Sequence, residues 1–338
     1  MKPYLYYSGL KQLSTELSGT ENIYLGIRPY GFHAGNMLPH IVYPILLCME
    51  LEKLGKVPKF NFFIFINDWE QDKLAGPDVK MYPFNIHPLH TTFQYTYDLE
   101  NPTISIVDYW EPIILEKVKE IKKLYPAVSI KSVRNSQMKN DPIMKRCLLK
   151  TMEDPILIAE ILRKHTTKTV LDEPIAYAMA VCPSCNMVKG HTQLKNNIVS
   201  HYCSLCGELS KGEYEDFDYW FYHKPLALPR LKICNIDVCI TGSDHFNEGD
   251  YLVRQELLKA FDMKVKPPKT LYTPVVLGYD DNTMGKSKGN AVLVEVNEIV
   301  QLVLSSPNEK SIKINRQPNY TNILEQKAAI TEDTVATH

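Results

Sequence analysis

Apolar positions along this chain come in short runs separated by longer stretches with helical spacing. Ile23-Tyr24-Leu25-Gly26-Ile27 and Asn61-Phe62-Phe63-Ile64-Phe65-Ile66 have strand length. The second is apolar enough to be covered on both faces of a sheet. Between them, Met37 to Leu51 reads as a buried helix, with Pro39 in its first turn, Pro44 as a kink and Gly55 past its end. Strand, Gly-containing turn, helix and strand make a βαβ unit. Residues 1–20 are polar and Ser/Thr-rich and predict an arm or a short helix.

Further on, Glu111 to Tyr125 has helical spacing, Val128-Ser129-Ile130 is a short strand, and Asp141 to Lys164 is helical with a break at Pro155. Residues 76–103 are irregular and rich in Pro, His and Tyr; His87 and His90 there have no partner spacing for a metal and read as structural. Asp216 to His223 mixes aromatic and acidic residues, as a pocket wall or a domain seam would. Asp237 to Thr241 is a strand, Asp250 to Phe261 a helix, and Leu271 to Leu277 a last strand. Strands alternating with helices predict an α/β fold, a Rossmann-type parallel sheet with helices on both faces.

Composition narrows the class. The chain has 338 residues, 44% hydrophobic and 23% charged, which suits a globular protein with a full core. Lys+Arg total 38 against 39 for Asp+Glu, so bulk charge gives no support to nucleic-acid binding. The N-terminus lacks the apolar core of a secretory signal, and no apolar run reaches membrane-spanning length. A cytoplasmic protein with no membrane partner is expected. Its eight cysteines then read as thiols or metal ligands.

Four of them form the strongest motif. Cys182-Pro183-Ser184-Cys185 and Cys203-Ser204-Leu205-Cys206-Gly207 are two CxxC knuckles separated by residues 186–202. Two thiolates on each of two tight turns complete a tetrahedron with no open position, a structural Zn²⁺ site. His191 and His201 lie between the knuckles, but four cysteines suffice. The polar stretch Gly190 to Ser200 suits a hairpin stabilised by metal. Cys48, Cys147, Cys234 and Cys239 have apolar neighbours and read as packing residues.

Two loops carry candidate chemistry. The turn after the first strand holds Gly31, His33, Gly35 and Asn36 and opens a helix, where backbone N–H groups and the helix dipole favour an anion. Far downstream, Asp280-Asp281-Asn282-Thr283-Met284-Gly285-Lys286-Ser287-Lys288-Gly289-Asn290 sets two lysines among small residues, an arrangement suited to holding a polyphosphate. Gly242-Ser243-Asp244-His245 ends a strand and opens a helix, where a ribose or a carboxylate can be hydrogen-bonded or Asp244 can cap the helix. Asp68 and Glu70 follow another strand.

His33-Ala34-Gly35-Asn36 resembles the His-x-Gly-His/Asn signature of class I aminoacyl-tRNA synthetases. Met284 to Asn290 resembles their Lys-Met-Ser-Lys-Ser loop with its Gly-Asn tail. The order of the motifs, with a paired CxxC element before Gly242-Ser243-Asp244-His245, is most similar to the class I lysyl-tRNA synthetases, over roughly residues 20 to 300. The resemblance implies a HUP-like nucleotide-binding fold: a first half over 20–170, a zinc ribbon over 171–215, a second half over 216–304, and a short tail over 305–338 with no anticodon-binding domain.

It also implies ATP, Mg²⁺ and activation of an amino acid as its adenylate. His33, Asn36 and Lys286 would act on the phosphates. Gly31, Gly35, Gly242, Asp244, His245, Met284, Ser287 and Lys288 would surround ATP or the adenylate. Lysine or an analogue is the implied amino acid, with Asp68, Glu70 and Asp218 as ammonium partners. The acceptor is a small molecule, a carrier or a tRNA acceptor end. Two departures stand out: Thr283 replaces the first Lys of the signature, and Gly285 its Ser. Alternatives are a lysyl-tRNA ligase that works without anticodon contact, or a silent paralogue that binds amino acid or nucleotide.

Overall fold

A computed structural model describes residues 2–29, 33–71, 91–97, 102–166, 176–285 and 290–317. At its centre a six-stranded parallel sheet runs in the order β1-β11-β10-β2-β3-β4. The elements follow in chain order as β1 (Tyr4–Leu5), α1 (Tyr6–Thr15), β2 (Asn22–Ile27), α2 (Ala34–Met37), α3 (Tyr43–Lys53), β3 (Asn61–Ile66), α4 (Ile106–Leu124), β4 (Ser129–Arg134), α5 (Pro142–Glu153) and α6 (Pro155–His165). After these come β5 (Ala178–Ala180), β6 (Gly190–Lys195), β7 (Ile198–Cys203), β8 (Leu209–Gly212), β9 (Tyr219–Phe221), α7 (His223–Ile233), β10 (Val238–Gly242), α8 (Ser243–Asn247), α9 (Asp250–Ala260), β11 (Lys269–Thr273), β12 (Val275–Leu277), α10 (Val296–Ser305) and β13 (Ser311–Lys313).

Alternation along the strands divides the core in two. Ile23, Leu25 and Ile27 of β2, with Phe62, Ile64 and Ile66 of β3, face α1, α3 and α4. Tyr24 and Phe65 turn to the other face, where α5, α6, α7 and α9 cover the sheet. Both faces are covered, as a parallel sheet requires. The chain builds outward from β2 through β3 to β4, then returns to lay β10 on the other side of β2. That reversal makes the β2–β10 seam a topological switch point, where α/β sheets bind ligands.

Several elements differ from the sequence expectation. The polar first twenty residues contribute an edge strand, β1, paired to β11, and a helix that buries Leu10 and Leu13. The last strand is two strands. Pro274 has no N–H for a ladder, and beyond it β12 leaves the sheet to pair with β13. The buried helix after His33 widens into a π turn over Leu38–Val42, in which the Tyr43 N–H donates to the Leu38 carbonyl. Pro44 cannot donate to the His40 carbonyl, and the wider turn accommodates that missing bond.

The cysteine segment is a three-stranded antiparallel sheet, β6-β7-β8. It is tied to the body by the Ala180 N–H, which donates to Thr192 Oγ1 at 3.1 Å, and by buried Val199. No helix among the described residues is long and apolar enough to cross a membrane.

Candidate active site at the carboxyl ends of the central strands

A cleft of about 630 Å³ opens at the switch point. Its size falls in the range of ligand sites. The floor is Tyr24 and Gly26 of β2 with Cys239 and Thr241 of β10. One wall is a single face of α7, with His223, Lys224, Ala227 and Arg230, and the other is Asp250, Val253 and Arg254 of α9. At the mouth lie His33, Gly35, Asn36, Glu70, Gly242, Asp244, His245 and Gly285. Residues from three motifs far apart in sequence therefore border one space.

His33 caps α2. Its Nδ1 accepts a hydrogen bond from the Gly35 N–H at 3.1 Å, so in the neutral ring the proton is on Nε2, which is then a donor. The backbone N–H groups expected to receive an anion are engaged within the protein. Ala34 N–H donates to the Val292 carbonyl, and those of Asn36 and Met37 donate to the His33 carbonyl. Donors toward a phosphate must then come from side chains. Behind them His40 is buried, with Nδ1 2.6 Å from the Asn36 carbonyl and Nε2 2.9 Å from that of Gly26, pinning the helix to β2.

The second mouth segment follows β10. A Cβ on Gly242 would collide with the Asp244 carboxylate, so glycine leaves that side chain its place beside the strand end. His245 Nδ1 is 2.9 Å from Asp250 Oδ2, and Lys224 Nζ is 2.5 Å from Asp250 Oδ1. Burial alone would lower the His245 pKa, but the Asp250 and Asp244 carboxylates outweigh it and bring it up to about 8. Desolvation opposes the charge on Asp250, yet its two cationic partners hold its carboxyl well below the usual range. His245, Glu248 and Asp250 also bring potential metal-ligating atoms within 4.8 Å of one another. The Lys224 ammonium already supplies the positive charge there, so the cluster is an ion-pair network. Burial drives the His223 pKa far down and leaves that ring neutral.

Met284 is buried, and its N–H donates to the Val276 carbonyl at 2.7 Å. Gly285 lines the cleft, and its N–H donates to Asn290 Oδ1 at 2.8 Å. Asn290 in turn donates from Nδ2 to Asp280 Oδ1 at 2.8 Å, closing the base of the loop. Gly31, Lys286, Ser287 and Lys288 lie outside the described residues, as do His87 and His90.

The three acids read as ammonium partners separate. Glu70 borders the cleft. Its Oε2 is 3.2 Å from Arg28 Nε, and its buried Oε1 has no hydrogen-bond partner among the described residues. Asp68 does not line the cleft. It is fully buried and accepts from the N–H groups of Asn135 and Ser136 and from Ser136 Oγ, which joins β3 to the end of β4. Asp218 also lies away from the cleft, at the seam of β9, where it accepts from the Tyr95 hydroxyl and from Lys139 Nζ.

Sequence reasoning missed Lys224, Arg230, Asp250 and Arg254. Charged residues on a helix usually mark its wet face, and here they mark the face turned into the cleft. Lys224, Ala227 and Arg230 recur at helical spacing, the one signal that aligned them. Cys239, read as packing, stands on the cleft floor.

The four cysteines of the ribbon come together in one cluster. Sγ atoms of Cys182 and Cys206, and of Cys185 and Cys203, are 3.6 Å apart. Sulfurs about 2.3 Å from zinc in a tetrahedron stand about 3.8 Å apart, so the set is compatible with zinc. The knuckles repeat one geometry. Asn186 N–H donates to the Cys182 carbonyl and Gly207 N–H to that of Cys203, both residues with positive φ. Burial raises the Cys203 thiol, but N–H groups of Cys206 and Leu205 directed at the sulfur help bring it down to about 7. His201 is buried against Thr192 Oγ1 and His191 faces Gln193, so neither joins the cluster.

No family model matches the chain, and no curated protein matches it. Solved structures similar to it include tyrosyl-tRNA synthetase from Archaeoglobus fulgidus complexed with L-tyrosine, at 13% identity and TM-score 0.39, with 84% of this chain and 64% of that chain covered. Tryptophanyl-tRNA synthetase from Mycoplasma pneumoniae is similar at 11% identity and TM-score 0.38, over 81% and 61%. A glutamate tRNA ligase from Elizabethkingia meningosepticum in complex with its amino acid is similar at 10% identity and TM-score 0.35, over 80% and 52%. The chain thus spans less than two thirds of the length of each.

Proposed function

We propose that the cleft activates an amino acid with ATP, giving an aminoacyl-adenylate and pyrophosphate, and passes the aminoacyl group to an acceptor. The observation that carries this reading is the meeting of His33, Gly35 and Asn36 after β2, Gly242, Asp244 and His245 after β10, and Gly285 around one space. A carboxylate oxygen of the amino acid attacks the α-phosphorus, the bond to the bridging oxygen breaks, and pyrophosphate leaves with its electron pair. Such a reaction needs positioning and charge stabilisation more than covalent help.

In this reading His33 Nε2–H and the Asn36 amide donate to phosphate oxygens as charge moves onto the leaving group. Lys286 follows Gly285 in sequence and is assigned the β- and γ-phosphates, with Ser287, Lys288 and the Met284 backbone as neighbours. Asp244 accepts from ribose hydroxyls, beside the His245 cation. Mg²⁺ accompanies ATP when bound and offsets phosphate charge. The four-cysteine ribbon holds zinc as a structural element. The acceptor is a small molecule, a carrier or a tRNA acceptor end.

ATP–pyrophosphate exchange across the amino acids, with and without tRNA, tests the reading. Exchange with one amino acid in the absence of tRNA supports it. Nucleotide binding without exchange under any condition overturns it in favour of a silent binding protein, the alternative that Gly285 favours by presenting no hydroxyl to the cleft.

A further inference from the structure

The cleft has a basic floor that the phosphate chemistry does not use. Tyr24 lies three residues before the end of β2, and its ring leans along the strand, so that its hydroxyl is at the height of Gly26. Across the sheet its register neighbour is Cys239, and the neighbour of Cys239 is Thr270. Arg254 reaches this row, and Arg230 stands higher, level with the strand ends, where Asn67 and Asn135 follow β3 and β4. Arg230 from α7 donates to the Tyr24 hydroxyl from Nη1 at 2.7 Å. Arg254 from α9 donates to Thr270 Oγ1 from Nη1 at 3.3 Å.

Neither arginine has a carboxylate within ion-pair distance among the described residues. Arg230 is 1% exposed and its remaining contacts are neutral, the side-chain oxygens of Asn67 and Asn135 and the face of the Phe65 ring. The nearest acids are committed elsewhere: Asp68 to Asn135 and Ser136, and Asp250 to Lys224 and His245. Arg254 donates to Thr270 Oγ1, interacts with the Cys239 thiol, feels the Asp250 carboxylate through space, and borders the cleft. Two guanidinium charges bordering one cleft without an ion-paired carboxylate are favoured by an anion that enters it. Ala227 and Val253, both apolar, also line the cleft. Glu70 lies past the end of β3 and borders the cleft.

We infer that the cleft, with Arg254 as the principal contact and Arg230 and the Tyr24 hydroxyl nearer its mouth, binds the anionic end of an acidic amino-acid side chain. This rests on the activation reading for the placement of the α-carboxylate at the mouth. It departs from the lysine that the sequence resemblance implies. The anion is a carboxylate or a phosphate monoester on a short aliphatic stem.

The test is calorimetric binding of L-aspartate, L-glutamate, O-phospho-L-serine, L-asparagine, L-glutamine and L-lysine to the full chain, with pyrophosphate exchange on the same set. One acidic amino acid should bind at least about tenfold tighter than its uncharged counterpart and than lysine. The phosphoserine arm tells phosphate from carboxylate. Arg254→Gln should erase the preference and Arg254→Lys should keep part of it, with the melting temperature of both near that of the wild type. An amide or lysine binding as tightly as the acids, a preference that survives in Arg254→Gln, or no acid binding at millimolar concentration overturns the inference. Acid binding without exchange leaves it standing and removes the activation reading. Exchange with lysine alone does the reverse.

Discussion

The backbone N–H of Ala34 donates to the carbonyl of Val292 at 3.0 Å. Ala34 opens the helix behind His33, and Val292 lies just beyond the Lys286 loop, so one hydrogen bond joins segments that the sequence holds far apart. Asn290 extends this link by holding Gly285 on one side and Asp280 on the other. The loop therefore leaves from, and returns to, a stem fixed against the first motif.

Asn290→Ala should loosen that stem. Asn290 is fully buried, and its removal leaves the Gly285 N–H without its acceptor. The cost should be about 1–3 kcal/mol in urea unfolding, with a fall in pyrophosphate exchange larger than any fall in amino-acid affinity. Unchanged stability and exchange would remove the stem from the account.

The His245–Asp250 pair makes a pH prediction. The folded pKa of His245, at about 8, lies above its ordinary value of 6.5. Protonated His245 therefore stabilises the fold. That contribution is fully present below pH 6.5 and is lost as pH rises through about 8. The side chain is 40% exposed, so the effect on stability should be small and salt-sensitive. An NMR titration assigned with His245→Gln should give a midpoint near 8, and a midpoint at or below 6.5 would contradict the pairing.

The ribbon should carry one zinc ion per chain, measured by elemental analysis of the purified protein. Cys203→Ser should lose the metal and lower the melting temperature by about 3 °C, on the order of 2 kcal/mol for a chain of this size. Metal-free protein whose melting a chelator does not alter would refute the zinc assignment.

The sheet and its helices were legible because continuous apolar runs and 3.6-residue spacing follow directly from burial. The two knuckles were legible because metal geometry dictates their spacing. What escaped depends on tertiary placement. The first twenty residues look solvated, yet a few apolar side chains at helical spacing, Tyr4, Tyr7, Leu10, Leu13 and Leu17, seat a strand and helix on an existing core. Asp68 and Glu70 are two residues apart after one strand, and nothing local says that one braces β4 while the other borders the cleft. Arg230 and Arg254 sit on different helices and border one cleft only because α7 and α9 pack on the same face of the sheet. The loop from Lys286 to Lys288 was legible as sequence and is assigned on that ground alone.

The central claim is that this cleft makes an aminoacyl-adenylate. Pyrophosphate exchange in wild type and Lys286→Ala, measured beside amino-acid binding, tests it most directly. The account predicts exchange driven by one amino acid without tRNA, and a loss of about 100-fold in Lys286→Ala with affinity for the amino acid nearly unchanged. Equal losses in rate and affinity, or no exchange by wild type that binds both ATP and amino acid, would contradict it.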